Sequence, residues 1–328
     1  MPAFLKLAFE TFRFLPREKA VSGYSEVSTF CPGPGRRVIH LLPPLPRAAM
    51  SGISKPLLVF TDLDGSLLDH TTYDHAPASE WLERLRQWRV PVIINTSKTA
   101  AEVVVLYQTL GLDAPFVCEN GAAIRLPASW CLDETPDESG FATIVSGTPR
   151  ERLRAFLTTV RGREGFRFRG FGDLSITDIA RYTGLSEAAA ARAAERSASE
   201  PLIWEDSEAA LSRFRLLLTG AGLSLTRGGR FHHVMGEGSD KGRVIVQLSD
   251  RYQLIVGEKP ITVGLGDGPN DLPMLAAVDH AVLIRGEHDL DMTLDGAFAR
   301  QTTVPIYKTT QKGPAGWSEG LDHWLGKH

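Results

Sequence analysis

Two carboxylates spaced two residues apart follow the first strongly apolar segment of the chain. The segment "PLLVF" runs directly into "TDLDGSLLDH", which contains Asp62 and Asp64. Alternate residues of a strand point to the same side, so these two negative charges are expected to lie close together. They repel each other unless a positive group lies beside them. The chemistry of this segment therefore calls for a cation, supplied by another part of the chain or by a bound metal.

Polar groups also follow the other apolar strand patterns. In open parallel sheets, ligands bind where the carboxyl ends of the strands meet, so these groups are expected to share one edge of a sheet. The segment "VPVII" is followed by Asn95, Thr96, Ser97 and Lys98, and "PFVC" is followed by Glu119, Asn120 and Gly121. The loop after "ITVGL" includes Asp267, Asn270 and Asp271. Lys241 stands at the start of the predicted helix that precedes "ITVGL".

Clustered carboxylates of this kind suit Mg²⁺, which keeps several of its waters and also binds phosphate oxygens of a substrate. The side chain of Lys241 would add a further positive charge. Each element also has an ordinary alternative: "DLDG" as a strand-to-turn junction, "NTSK" as a helix cap, "GDGPND" as a loop of turn-forming residues, and Lys241 as a surface lysine. Their order and their common placement after strands favour a single joint site.

The pattern of elements predicts two domains. Short apolar strands alternate with amphipathic helices over residues 55–133 and again over 236–328, which is typical of a parallel sheet covered on both faces. Residues 134–235 differ, because they contain a hairpin turning on Gly228-Gly229 and several helices without that alternation. We therefore expect an α+β module inserted into a parallel-sheet domain.

Composition limits the function classes. The chain has 328 residues, 43% of them hydrophobic, and a net charge of −3, which describes a globular protein with a sizeable core. Its slight acidity argues against nucleic acid as a partner, and no apolar run approaches the roughly 18 residues of a membrane-spanning helix, so no membrane association is expected. The three scattered cysteines fit a reducing cytoplasm. The oligomeric state cannot be read from the sequence.

The first 54 residues do not share the pattern of the rest. Seven of the twenty prolines lie before Met50, and the segment contains no regular apolar periodicity. Such sequence does not build a core. We interpret it as a disordered N-terminal extension or as an over-extended start with Met50 as the natural first residue; the alternative is an arm that binds a membrane surface or a partner.

Taken in order, these segments resemble the four motifs of the haloacid dehalogenase superfamily of phosphotransferases. The matching segments are "DLDGS" (Asp62 to Ser66), Thr96 in "NTSK", Lys241 in "SDKG", and "GDGPND" (Gly266 to Asp271). The resemblance implies an α/β fold with a Rossmann-like parallel-sheet core domain and an inserted α+β cap domain. The position of the insert, between the second and third motifs, matches the larger cap type of that superfamily.

A closer resemblance is to the mannosyl-3-phosphoglycerate phosphatases. It rests on "NTSKTAAEV", "PFVCENGAAI", "RGFGDLSITDIARYTGL", "SEPLIW", "RFHHVMG" and "GLGDGPNDLPML", and it leaves the first fifty residues uncovered. Ser66 stands where that family usually has threonine, which keeps the hydroxyl group.

The resemblance implies a role for each motif residue. Asp62 would be the nucleophile and Asp64 the general acid and base. Mg²⁺ would be held by Asp62, by the backbone carbonyl of Asp64 and by Asp267, with Asn270 and Asp271 orienting these groups. Thr96 and Lys241 would stabilise the transferring phosphoryl group.

The substrate implied is a phosphorylated sugar-glycerate, mannosyl-3-phosphoglycerate, and the product is the compatible solute mannosylglycerate. Alternatives are a glucosyl-3-phosphoglycerate or general sugar phosphatase, a phosphomannomutase-type phosphotransferase, and a non-catalytic binding module, against which the intact motif residues argue. Lys98 and Arg169 are candidates for binding the substrate carboxylate. The further candidates for substrate binding are Ser97, Asn120, Ser199 and His233.

Overall fold

Two β-sheets organise the part of the chain that the computed structural model describes, residues 55–228, 230–286 and 303–326. The N-terminal extension predicted over residues 1–54 lies outside these residues. The strands are, in chain order, β1 (Leu57–Thr61), β2 (Val92–Asn95), β3 (Phe116–Cys118), β4 (Ala123–Pro127), β5 (Phe141–Val145), β6 (Phe168–Gly170), β7 (Ser199–Trp204), β8 (Leu223–Gly228), β9 (Phe231–Gly236), β10 (Ile261–Gly266), β11 (His280–Arg285) and β12 (Ile306–Lys312). The α-helices of these residues are α1 (Ser79–Gln87), α2 (Ala100–Thr109), α3 (Arg150–Glu164), α4 (Ile176–Thr183), α5 (Glu187–Ala194), α6 (Glu208–Gly220), α7 (Arg243–Val256), α8 (Leu272–Ala277) and α9 (Gly313–Leu325).

The larger sheet has the spatial order β12-β11-β10-β1-β2-β3-β4-β5. The pairings from β12 through β3 are parallel, and β4 and β5 extend the sheet as antiparallel strands. Side chains of β1 alternate between two hydrophobic cores: Leu57 and Val59 pack on one face, and Leu58 and Phe60 on the other. Continuous apolar strands are what a sheet covered on both faces requires. The predicted parallel-sheet α/β core is confirmed.

The smaller sheet has the order β6-β7-β9-β8, with antiparallel pairings throughout. On one face, Leu202 and Val234 share a hydrophobic core with Leu157 of α3 and Phe214 of α6. Since successive strand residues alternate in direction, His233 lies on the opposite face from Val234. We call residues 146–236, which carry this sheet and its helices, the insert.

The boundary of the insert differs from the sequence prediction at one end. The strand "FATIV", predicted to belong to the inserted module, is β5 and forms the edge of the larger sheet. Its short, mostly apolar sequence is compatible with either sheet, and its pairing with β4 (Arg125 opposite Thr143) is what places it. In the described part of the chain, no helix combines the length and the apolar character that crossing a bilayer requires.

Candidate active site

Strand pairing brings two of the predicted acidic residues to the same edge of the larger sheet. β1 and β10 are parallel neighbours in which Thr61 lies opposite Leu265, and each strand ends just before an aspartate. The backbone N–H of Asp62 donates to the carbonyl of Leu265 (2.9 Å). Asp62 and Asp267 therefore begin adjacent loops at the carboxyl ends of neighbouring strands, as the sequence predicted.

Three carboxylates and one buried ammonium group form the centre of this edge. Oxygens of Asp62, Asp267 and Asp271 all lie within 4.8 Å of one another. The Nζ of Lys241 lies 2.6 Å from Oδ1 of Asp62 and 2.6 Å from Oδ1 of Asp271. The Lys241 side chain is fully buried, so these ion pairs act in a medium of low polarity, where they are much stronger than in water.

The charges of this cluster do not cancel. Burial raises the pKa of Asp267, and the neighbouring Asp271 and Asp62 carboxylates raise it further. Burial opposes the charge of Lys241 as well, but Asp271 and Asp62 outweigh it and raise the pKa of that ammonium group. Three carboxylates facing one lysine leave a surplus of negative charge, and a divalent cation bound by their oxygens is the chemical group that fits it.

Gly65 and Asp271 shape the loops around the cluster. Gly65 has φ +81°, and a Cβ at this position would lie 2.5 Å from Oδ2 of Asp267, so only glycine allows the two loops to approach this closely. Oδ2 of Asp271 accepts from the backbone N–H groups of Asp267 (3.1 Å) and Gly268 (2.9 Å). Asp271 thus holds the loop that carries Asp267, and it also contributes directly to the charge of the cluster.

Asp64 lies outside the carboxylate cluster and pairs with a residue that the sequence assigned to the substrate. Its Oδ2 lies 2.8 Å from Nζ of Lys98. Its Oδ1 is buried and has no hydrogen-bond partner in the described part of the chain. Lys98, which the sequence predicts to bind the substrate carboxylate, directs its charge at Asp64 in the structure.

The loop after β2 also contributes Asn95, Thr96 and Ser97. The side-chain amide of Asn95 donates to the carbonyl of Lys241 (2.9 Å) and so fixes the backbone of that lysine. Thr96 is buried, and its hydroxyl oxygen accepts from the backbone N–H of Lys98 (3.3 Å). The carbonyl of Ser97 accepts from Arg196 of the insert (3.2 Å).

The turn after β3 places a buried amide at the site. Asn120 is 2% exposed and has φ +56°, a left-handed conformation that asparagine tolerates better than most residues. Its Oδ1 accepts from Nδ2 of Asn270 (3.4 Å), and its own Nδ2 has no hydrogen-bond partner in the described residues. A buried donor without a partner is uncommon in proteins, so this amide is suited to meet a ligand oxygen.

The three candidates in the insert occupy different environments. The hydroxyl of Ser199 is buried and donates to Glu119 (2.7 Å), so it links the insert to the larger sheet rather than facing an open cavity. His233 is buried, and its Nδ1 has no partner in the described residues. Arg169 donates to the hydroxyl of Tyr182 (2.7 Å) and pairs with Glu205 at the edge of the smaller sheet.

A cavity of about 340 Å³ opens beside the turn that follows β10. Asn120, Asn270 and Lys241 line it from the larger sheet, and Thr226, Arg227 and Arg215 line it from the insert. The two arginines were not identified from the sequence. Arg227 precedes the predicted glycine turn of the hairpin, and this position next to the turn is the only signal that could have singled it out.

Comparisons with known proteins agree with this arrangement. Residues 59–144 match the family model of haloacid dehalogenase-like hydrolases. The fold is similar to that of a phosphatase of the haloalkanoate (HAD) enzyme superfamily from Bacteroides thetaiotaomicron, at 19% sequence identity and a TM-score of 0.57, over 84% of this chain and 97% of that one.

Two further solved structures share the fold. A subclass IIB sugar phosphatase of the same superfamily matches with a TM-score of 0.56 and 18% identity, over 81% of this chain and 98% of its own. A sucrose-phosphatase from Synechocystis, solved with sucrose and phosphate, matches with a TM-score of 0.52 and 15% identity, over 82% of this chain and 98% of its own. At these identities the similarity establishes the fold.

Proposed function

We propose that the chain is a haloacid dehalogenase-like hydrolase, whose family model matches residues 59–144, and that it is a Mg²⁺-dependent phosphatase that converts mannosyl-3-phosphoglycerate into mannosylglycerate and phosphate. The observation that carries the reaction class is the Lys241 ammonium group bound between Asp62 and Asp271, with Asp267 in the same cluster. A carboxylate nucleophile, a fixed cation and further carboxylates that can hold a metal ion, all at one strand edge, are suited to phosphoryl transfer.

The donor set fits a divalent metal. The metal would be held by carboxylate oxygens of Asp62 and Asp267 and by the backbone carbonyl of Asp64. Asp271 would fix the loop that carries Asp267 and Asn270. When bound, the metal neutralises charge on the phosphoryl oxygens and offsets the repulsion among the aspartates. The match of residues 59–144 to the haloacid dehalogenase-like family model and the aspartate cluster support a divalent cation, and the all-oxygen donor set favours Mg²⁺.

Asp62 is the proposed nucleophile. Lys241 binds its Oδ1, which leaves the second carboxylate oxygen to attack phosphorus. As the new bond between Asp62 and phosphorus forms, the bond from phosphorus to the glycerate oxygen breaks, and its electron pair leaves with that oxygen. The leaving oxygen then takes a proton from Asp64.

In the second step, Asp64 acts as the base and the Asp62 carboxylate is the leaving group. Asp64 accepts a proton from a water molecule, whose oxygen attacks phosphorus. The bond between Asp62 and phosphorus breaks, which returns the carboxylate and releases inorganic phosphate. The unpartnered Oδ1 of Asp64 suits this task, because the other oxygen is bound by Lys98. Thr96 and Lys241 would stabilise the charge on the phosphoryl group.

The sugar-glycerate part of the proposal is supported by the sequence resemblance, and the structural neighbours include sugar phosphatases. The insert would act as the cap that selects the substrate. Asn120, with its free amide, and the buried His233 remain candidates for sugar hydroxyls. Arg227 replaces Lys98 as the candidate for the carboxylate, because it lines the cavity and forms no ion pair within the described residues.

The reaction class is tested by phosphate release from mannosyl-3-phosphoglycerate with and without Mg²⁺. Asp62→Asn keeps the shape of the side chain and removes the nucleophilic oxygen, so release should fall by about three orders of magnitude or more. Asp137→Asn, which removes a surface carboxylate paired with Arg125, is the matched control and should retain activity. Release that survives in Asp62→Asn would contradict the assignment.

A further inference from the structure

The turn after β3 contains three consecutive residues in the left-handed region. The φ angles are +53° at Glu119, +56° at Asn120 and +98° at Gly121. Glycine adopts such angles freely, but two successive residues with side chains do so only when the surroundings hold them there. The contacts of this turn must therefore hold it in its left-handed conformation.

The side chain of Glu119 binds one short segment of the insert. Its Oε1 accepts from the backbone N–H of Ser197 (2.9 Å) and from its hydroxyl (2.8 Å), and its Oε2 accepts from the N–H of Ala198 (3.1 Å) and the hydroxyl of Ser199 (2.7 Å). Glu119 is 2% exposed. The Glu119 carboxylate is therefore withdrawn from water, where it depends on such partners, although Ser197 is itself exposed.

An arginine of the insert completes this contact. Arg196 donates to the carbonyl of Ser97 (3.2 Å) and to the hydroxyl of Ser199 (3.0 Å). Burial opposes the charge of Glu119, but Arg196 and the hydrogen bonds from Ser197 and Ser199 outweigh it and lower the pKa of the carboxyl group. Glu119 is thus an ionised group in the interior, stabilised by residues of the insert.

The backbone of the same turn contacts the loops of the active site. The N–H of Glu119 donates to the carbonyl of Lys98 (2.9 Å), and the N–H of Asn120 donates to the carbonyl of Thr96 (2.9 Å). A Cβ on Gly121 would lie 2.4 Å from the carbonyl oxygen of Asp240, next to Lys241. One turn therefore touches the loop that carries Lys98, the residue before Lys241, and the insert.

We infer that Glu119 is a positioning residue, which fixes the insert relative to the strand-end loops and holds the amide of Asn120 at the site. The contact between Glu119 and residues 197–199 lies beside the point where the chain enters the insert. There, the N–H of Ser146 donates to the carbonyl of Ala122 (2.9 Å), and the N–H of Arg150 donates to the carbonyl of Ser197 (2.8 Å). Its effect on catalysis rests on the proposed phosphatase function; its effect on the insert does not.

Glu119→Gln tests the catalytic effect. It keeps the size of the side chain but removes the charge and one of the two acceptor oxygens. For mannosyl-3-phosphoglycerate, which would contact both the insert and the loops, kcat/KM should fall roughly tenfold to a hundredfold, as expected for weakened charged hydrogen bonds. For p-nitrophenyl phosphate, which is too small to need the insert, the fall should stay within about threefold, the scatter expected for a site left intact.

Glu134→Gln is the matched control. Glu134 also binds an arginine, Arg251 (2.6 Å), but at a different place in the fold. Its loss should change neither substrate by more than about twofold. Equal losses on both substrates for Glu119→Gln, or no loss on either, would overturn the positioning role.

A measurement without substrate separates this inference from the proposed function. In Glu119→Gln, hydrogen–deuterium exchange should be roughly tenfold faster at residues 119–122 and 146–149, as expected when a charged hydrogen bond is lost. Glu134→Gln should leave both segments unchanged. Ser197→Ala, which removes one hydroxyl bond to Glu119, should give a smaller effect in the same segments even if Glu119→Gln fails to fold. Unchanged exchange in both variants would overturn the inference, whereas an inactive wild type would overturn only the phosphatase proposal.

Discussion

The ammonium nitrogen of Lys98 lies 2.8 Å from Oδ2 of Asp64, and the two side chains are only 12% and 28% exposed. Burial opposes the charge of Lys98, but Asp64 and Glu102 outweigh it and raise its pKa, so the lysine stays charged at neutral pH. The ring of Tyr73 lies 5.1 Å from the same nitrogen and helps to hold it in place. Lys98 therefore fixes the orientation of the proposed general acid and base.

Lys98→Met should reduce kcat by about tenfold to a hundredfold, because a partly buried charged hydrogen bond contributes about 1.5–3 kcal/mol. Lys98→Arg should retain part of the rate, since a cation remains beside Asp64. Steady-state kinetics with mannosyl-3-phosphoglycerate separates the two interpretations of this residue. An unchanged kcat with a strongly raised KM would mean that Lys98 binds the substrate, as the sequence suggested.

Asp267→Asn should stabilise the metal-free protein while abolishing activity. Burial and the charges of Asp271 and Asp62 raise the pKa of Asp267, so ionising it at pH 7 opposes folding. The neutral amide removes that repulsion and keeps an acceptor for the hydroxyl of Ser66, which lies 3.0 Å from Oδ1. We therefore expect the variant to have a higher free energy of unfolding than the wild type in the absence of metal.

Thermal unfolding with EDTA and with Mg²⁺ measures this effect. The wild type should be stabilised by Mg²⁺, because a ligand that binds only the folded state raises the melting temperature. Asp267→Asn should lose that increase and hydrolyse no substrate. A variant that is less stable than the wild type in EDTA would contradict the surplus of negative charge on which the metal assignment rests.

The buried His233 should make the fold sensitive to acid. Burial, Arg196, His232 and Lys241 lower its pKa to about 3, from 6.5 in the unfolded chain. Between these two values the unfolded state binds the extra proton, so stability falls as the pH drops below 6.5. The loss attributable to His233 should reach about 2 kcal/mol near pH 5.

Urea denaturation of the wild type and His233→Gln at pH 7 and pH 5 checks this prediction. The variant should lose less stability between the two pH values, whatever its stability at pH 7. His232→Gln is the control, since His232 is only half-buried and its pKa is lowered less strongly. Parallel losses in the wild type and in His233→Gln would show that the acid sensitivity lies elsewhere.

Arg227 should distinguish substrates that carry a carboxylate from those that do not. Arg227→Met should raise the KM for mannosyl-3-phosphoglycerate about tenfold, which is the effect of losing one charged hydrogen bond. The KM for mannose 6-phosphate should not change. Arg230→Met is the matched control in the same hairpin, because Arg230 donates to the carbonyl of Thr183 and does not line the cavity. An equal change in KM for both substrates would argue against a carboxylate contact.

Sequence patterns predicted the layers of the larger sheet because each strand is a short apolar run and each loop begins with polar residues. The shared edge of Asp62 and Asp267 follows from the parallel pairing of β1 and β10. These are local patterns combined with one general rule, that ligands bind at the carboxyl ends of parallel strands.

Contacts between distant segments were not predictable in the same way. The hydrogen bonds from Ser197, Ala198 and Ser199 to Glu119 join residues nearly eighty positions apart, and nothing in either segment identifies the other. The pairing of Lys98 with Asp64 depends on side-chain conformations in two loops, which strand and helix patterns do not specify. The pairing of β5 with β4 is likewise not specified by the sequence of either strand, so the sequence pattern places β5 in the insert.

The most direct test of the proposed function is the ratio of kcat/KM for mannosyl-3-phosphoglycerate to that for other phosphomonoesters with Mg²⁺ present. The comparison set contains glucosyl-3-phosphoglycerate, mannose 6-phosphate, sucrose 6-phosphate and 3-phosphoglycerate. The proposal predicts that mannosyl-3-phosphoglycerate exceeds the simple esters by about a hundredfold or more, the discrimination that a few hydrogen-bonded groups provide. A flat profile, or transfer of phosphate to a second sugar without release to water, would contradict it.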